Sequence, residues 1–291
     1  MNYQEFKSYR DELQSRYFRL DDLNPYSLAP YFINDSCQKC EFIDIASEYF
    51  VMQSNGVRSL LKELFKYFTK LGYQLNIPED VYPEYFNLIP MNAIVFHYAS
   101  CRREKFTFSE NEFCISLIAN PLIPEGRYLT KAELLVLDNW LLDNNNRWII
   151  FDTVYDYCLH SLDFKFKSNN IIFVNSLSKV NLAPGVSGWA LSKTKLPGFE
   201  QIPMPEVDQK LNGAIQNEYT QAWKTIDNKF NLGKKYNWQR PSVGYLSLLN
   251  KNFRSLLSEC DIAAVPASIF GVKGDDISVI SCLSEVKQNV L

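Results

Sequence analysis

NNIIFVNSLSKVNLAPGVSGWA, residues 169–190, places an apolar run ahead of one lysine, Lys179, with serines on its upstream side, and then a glycine-punctuated loop that enters a second apolar run. A short run that is apolar without alternation reads as a strand buried on both faces, which requires a sheet covered by helices on either side. An amine just past the carboxyl end of such a strand stands where open α/β sheets bind their ligands.

Upstream the same pattern repeats. NAIVFHYA (92–99), EFCISLIANP (112–121) and RWIIFD (147–152) read as strands, and YFVMQ (49–53) reads as another, followed by the turn SNG. VRSLLKELFKYFTKLG then carries Val57, Leu60, Leu61, Leu64, Phe65, Phe68 and Leu71 at helical spacing, with Gly72 as the stop signal. TKAELLVLDNWLLDNN predicts a second helix, burying Leu134, Leu135, Leu137, Trp140 and Leu141. Strands alternating with helices predict a mostly parallel, three-layer α/β domain. No element is assigned to YQLNIPEDVYPEYF (73–86), and LNPYSLAPYF (23–32) reads as an extended, proline-punctuated arm. After Gly198, MPEVDQKLNGAIQNEYTQAWKTI predicts a helix, and SVGYLSLL, DIAAVPASIFG and DDISVISCL predict strands of a smaller α+β lobe. The expected division is an N-terminal arm with part of the small lobe at 1–49, a major domain at 50–198, and a reduced C-terminal lobe at 199–291.

The 291 residues suffice for one large domain, and the formal charge of -3 lies in no acidic or basic block, so no footprint for nucleic acid or a membrane surface is expected. Without a long apolar window or a signal-like start, a cytoplasmic protein is expected. The seven cysteines then read mainly as buried apolar residues. Cys37 and Cys40 form a lone C-x-x-C, half of a zinc set, and no metal is expected there.

The polar residues at the strand ends carry the chemistry. MQSNGVRSLL, IPEDVYPEYF, ANPLIPEGRYLTKAEL, IIFDTVYDY and VNSLSKVNLAPGVSGWA occur in the order found in the class I/II aminotransferases of the fold-type-I pyridoxal phosphate enzymes. The chain resembles that family from about Val51 to Trp189. The resemblance implies pyridoxal 5′-phosphate as cofactor, with Lys179 holding its aldehyde, Asp152 pairing with its ring nitrogen and Tyr155 donating to its ring oxygen. A partly desolvated amine is a competent nucleophile, and a carboxylate ending an apolar strand needs a partner. Gly56, Val57 and Arg58 open a helix, whose N–H groups suit a phosphate. Ser176 and Ser178 match phosphate-binding hydroxyls, Tyr82 matches the residue that stacks on the ring (the other reading being that Tyr82 or Tyr85 is a core residue), and Asn120 matches the first asparagine of the family's N-P-x-N-P-x-G.

Three positions depart from the family. Its second asparagine is Ile123, the arginine of G-x-R-x-G-W is Ser187, and the arginine that would clamp a substrate carboxylate is replaced near Val279. The chain is also shorter than family members at both ends. The expectation is a homodimeric enzyme of the aminotransferase type, acting on a small amino-acid-like substrate, in the manner of members that tailor amino acids in natural-product biosynthesis. The alternatives are an eliminase or lyase using the same cofactor, and a degenerate relative with a binding or scaffold role.

Overall fold

The computed structural model describes residues 3–13, 16–33, 42–43, 48–101, 106–156, 160–179, 181–183 and 185–290. Cys37 and Cys40 lie outside the described residues. Seven strands form the central sheet: β1 (Phe50–Ser54), β2 (Gln74–Pro78), β3 (Val95–Tyr98), β4 (Cys114–Ala119), β5 (Arg147–Asp152), β6 (Ile171–Ser176) and β7 (Gly188–Ser192). Their spatial order is β1-β7-β6-β5-β4-β2-β3. β7 runs antiparallel to both neighbours and every other pairing is parallel, which is the mostly parallel sheet expected.

The apolar strands serve two cores at once. Ile115, Leu117, Ile150, Ile172 and Val174 pack in the cluster that holds the helix α1 (Val57–Lys70), through Leu60, Leu61, Leu64, Phe65 and Phe68. Their sequence neighbours Ile118, Ile149, Phe151, Ile171 and Phe173 point to the opposite cluster, which holds Leu134, Leu137 and Leu141 of α2 (Lys131–Leu142). Alternate residues of one strand thus bury against different helix layers, and no position is left for water. α1 ends as its glycine demands: Gly72 adopts φ +82, and Tyr73 N–H closes on the Phe68 carbonyl at 3.0 Å. α2 starts at a capping box between Thr130 and Glu133, while its Leu135 is 45 % exposed rather than buried.

Four segments differ from the sequence expectation. Pro25–Leu28 and Ala29–Phe32 are helical turns, because Asn24 caps the first and Pro25 occupies its opening position. Gln74–Pro78 is an interior strand between β4 and β3, with residues 75–78 buried. The helix α3 (Gln209–Phe230) begins five residues later than expected, where Asp208 accepts from the Lys210 and Leu211 N–H groups. Ala267–Phe270 is a turn of 3-10 helix rather than a strand.

Toward the C-terminus a separate three-stranded antiparallel sheet, in the order β8-β10-β9, is formed by β8 (Leu246–Leu249), β9 (Val265–Pro266) and β10 (Ser278–Ser281). Val279 is fully buried on the central strand of that sheet. Phe18–Arg19 pairs with Ile262–Ala263, and the Ser281 N–H donates to the Leu20 carbonyl, so the beginning of the chain is stitched to its end. No described helix is long and apolar enough to cross a membrane.

Candidate active site

Strand register gathers the polar residues on one edge. Ser54 and Ser176 both face Gly188, Asp152 lies beside Val174, and Ala119 beside Asp152. The carboxyl ends of β1, β4, β5 and β6 therefore open on the same side, where Lys179 follows β6 by three residues. The loop beyond is fixed by the Leu177 N–H on the Ser187 carbonyl at 2.9 Å and the Ala183 N–H on the Ser178 carbonyl at 3.1 Å.

Lys179 as a whole residue is only partly buried, but its amine is enclosed by protein. Nζ lies 5.0 Å from the centre of the Tyr26 ring, 5.3 Å from that of Tyr155, and 3.5 Å from the Tyr26 hydroxyl. Burial pulls the amine down from 10.5 to about 8; Asp152 pulls it back up and Arg58 pushes it further down.

Asp152 is 4 % exposed. Its Oδ2 accepts from the Tyr85 hydroxyl at 2.6 Å and its Oδ1 from the Val154 N–H at 3.0 Å. Burial raises this carboxyl above its ordinary value, and the Tyr85 and Val154 donors and the Lys179 charge hold it partly in check. The Tyr155 hydroxyl lies 3.0 Å from that of Tyr245, which in turn donates to the Leu23 carbonyl at 3.5 Å. Burial drives the Tyr155 phenol well above its usual range.

The loop before α1 is built for close approach. Gly56 adopts φ +93, and a Cβ on Gly188 would fall 2.7 Å from the Gly56 Cα. Gly56 supplies no side-chain cap, so the N–H groups that open α1 have no side-chain acceptor from that position. The Ser176 and Ser178 hydroxyls are 2.8 Å apart, and Ser178 also bonds Tyr26. Arg58 is two-thirds exposed and 4.0 Å from Glu84.

Lys179, Asp152, Tyr155, Ser176, Ser178 and Arg58 are thus linked by contacts or by direct electrostatic influence. Val57 buries its side chain in the α1 core and offers only its backbone. Tyr82 is half-exposed and edge-on to Tyr85 at 5.9 Å, so Tyr85 is the one that holds the carboxylate and Tyr82 the one with an open face. Asn120 engages both ends of its amide within the protein, donating to Ser161 at 3.0 Å and accepting from the Leu129 N–H at 2.9 Å. Ile123 and Tyr155 both border Gly244. Tyr26 and Tyr245 were not marked by sequence. For Tyr26 a signal existed: Asn-Pro ahead of it is a helix-start pair that would have turned the arm inward.

No family model matches the chain, and no curated protein matches it. Solved structures do. Substrate-bound BacF of Bacillus subtilis aligns with a TM-score of 0.65 at 15% identity, covering 100% of this chain and 94% of that one. Cystalysin of Treponema denticola, which contains a pyridoxal 5′-phosphate cofactor, aligns with a TM-score of 0.65 at 14% identity, over 100% and 93% of the two chains. The aromatic aminotransferase of Pyrococcus horikoshii OT3 aligns with a TM-score of 0.61 at 16% identity, over 100% and 90%. With its six co-directional strands and one reversed strand, the chain has the fold of the fold-type-I, pyridoxal phosphate-dependent aminotransferases and lyases.

Proposed function

We propose that the chain is a pyridoxal 5′-phosphate-dependent enzyme of the aminotransferase type, a cytoplasmic homodimer acting on the amino group of a small amino-acid-like substrate in a biosynthetic role. The observation that carries this reading is the enclosed amine of Lys179 paired electrostatically with the buried carboxyl of Asp152 across adjacent strand ends. Burying both groups goes against their solvation.

The residues present fit the cofactor. Lys179 would hold its aldehyde, Asp152 its ring nitrogen, and Tyr82 a face of its ring. The N–H groups at Gly56 and Val57, with Ser176, Ser178 and Arg58, would receive the phosphate. The glycine pair Gly56 and Gly188 leaves the backbone free to approach it. Once bound, the cofactor supplies an aldehyde that captures amines and a ring that accepts electrons from the neighbouring carbon.

The protein supplies the protons. An amine titrating at about 8 is roughly one-tenth neutral at pH 7, against a vanishing fraction for an ordinary lysine, so Lys179 is both nucleophile and proton carrier. Asp152 stays charged where a ring nitrogen carries a proton, because Tyr85 and Val154 already donate to it. Tyr155 has a hydroxyl too weakly acidic to ionise, which keeps it a donor. With Val279 in the core, no cation stands at that position for a substrate carboxylate, which favours substrates that do not depend on one. Phe86, Met91 and Ile94, exposed near the edge strand β3, are surfaces a second copy would cover.

Ile123 and Ser187 favour a second reading, in which the cofactor binds without turnover. Purified protein mixed with pyridoxal phosphate is expected to absorb in the visible region, and amino compounds are expected to change that absorbance. A keto-acid product marks transamination, whereas ammonia released with a cleaved side chain marks elimination. A spectrum that no amine perturbs supports the binding role, and no spectrum at all overturns both.

A further inference from the structure

The helical turn Pro25–Leu28 reaches the catalytic edge from the far end of the chain, and it is held there on three sides. Asn24 accepts from the Tyr26 N–H at 3.2 Å, Leu28 is fully buried, and the Leu23 carbonyl accepts from Tyr245 in the C-terminal lobe. This anchoring leaves the Tyr26 side chain against Lys179, with its hydroxyl 3.5 Å from Nζ, its ring centre 5.0 Å from Nζ, and a bond to Ser178.

We propose that Tyr26 is a positioning residue for Lys179: its ring walls the amine from water together with Tyr155, and its hydroxyl ties the amine to Ser178 so that Nζ is presented in one orientation. Its value to a reaction rests on the function proposed above; the positioning itself does not. The consequence is that the N-terminal turn is part of the site, and that its seat depends on Tyr245 of the small lobe. The charged and titratable groups acting on the amine are Asp152, Arg58, Tyr26 and Tyr155, so the two variants below alter one of four.

The two parts of the role act on the amine in opposite senses. The wall removes water and disfavours the charged form, whereas the hydroxyl accepts from the ammonium and favours it. Tyr26→Ala removes both and admits water, so Lys179 is expected to titrate higher, by roughly one unit, back toward its ordinary 10.5. Tyr26→Phe keeps the wall and loses the acceptor, so Lys179 is expected to titrate lower, by up to about one unit.

The test is competitive acetylation of the cofactor-free full chain with acetic anhydride, from about pH 6 to about pH 11, with the Lys179 peptide quantified by mass spectrometry. Opposite shifts in the two variants support the proposal, and so does a several-fold faster acetylation in Tyr26→Ala at a pH where the amine is neutral. Unchanged titration in both variants, or shifts in the same direction, overturns it. Should circular dichroism show Tyr26→Ala unfolded, Tyr26→Phe decides alone: a lower titration supports the role and an unmoved one overturns it. Because no cofactor is present, a wild-type protein that fails to bind pyridoxal phosphate refutes the proposed function without touching this result.

Discussion

Replacing Lys179 by methionine is expected to make the cofactor-free protein more stable at neutral pH, because the folded state carries a buried charge that the unfolded chain keeps in water. The amine falls from 10.5 in the unfolded chain to about 8 in the folded protein. Below pH 8 it is protonated in both states, so folding bears the whole penalty; above 10.5 it is neutral in both and the penalty vanishes. Between those limits the unfolded chain binds more protons, so wild-type stability rises with pH. A gap of about 2.5 units corresponds to about 3 kcal/mol, and the attraction of Asp152 is already contained in it. Methionine is likewise unbranched, is one heavy atom shorter, and places its polarisable sulfur beside the Tyr26 and Tyr155 rings. Urea unfolding of both proteins at neutral pH and at a series of alkaline pH values measures the difference. Lys179→Met is expected to exceed wild type by about 3 kcal/mol at pH 7, with the gap closing between about pH 8 and about pH 10.5. A methionine variant no more stable than wild type at pH 7, or a gap independent of pH, would refute the reasoning, since Lys179 would then be solvated.

Tyr85→Phe takes from a buried carboxylate the donor it holds at 2.6 Å, which is expected to destabilise the cofactor-free protein by about 1.5–3 kcal/mol near pH 8. Since the hydroxyl stabilises the ionised form, that loss shrinks as pH falls through the raised Asp152 value, which melting curves at mildly acidic and mildly alkaline pH resolve. Gly188→Ala drives a Cβ to 2.7 Å from the Gly56 Cα, so the loop before α1 must move; pyridoxal phosphate affinity is expected to fall by about tenfold or more while the melting curve stays cooperative. Arg58→Ala removes a cation beside the same loop and is expected to weaken phosphate binding more at low salt than at high salt, read by cofactor titration at two ionic strengths.

The sheet was legible because its strands are apolar on both faces and its helix α1 repeats apolar residues at 3.6 spacing, patterns imposed by the two cores they fill. β2 was not, since its five residues include Gln74, Asn76 and Pro78. Asn76 is accommodated by donating to the Ser116 hydroxyl on the neighbouring strand, a contact that pattern cannot foresee. Asp152 closes an apolar run and Lys179 stands three residues beyond another, which marked both as strand-end groups, whereas Tyr155 was marked only by the family resemblance. Tyr26 and Tyr245 come from segments far away in sequence and meet the site only through tertiary packing. Tyr85 was read only as a candidate core residue, and its hydrogen bond to Asp152 is a contact that the sequence pattern does not carry. Asn120 shows the reverse: a motif residue whose amide is spent on bracing Leu129 and Ser161.

In the proposed function everything depends on one enclosed amine, Lys179, taking up the cofactor's aldehyde. Borohydride reduction of the protein after incubation with pyridoxal phosphate, followed by proteolysis and mass mapping, tests it most directly. A reduced phosphopyridoxyl group is expected on Lys179 at near-stoichiometric level, ahead of every other lysine. Label spread over exposed lysines with Lys179 unmodified would contradict it.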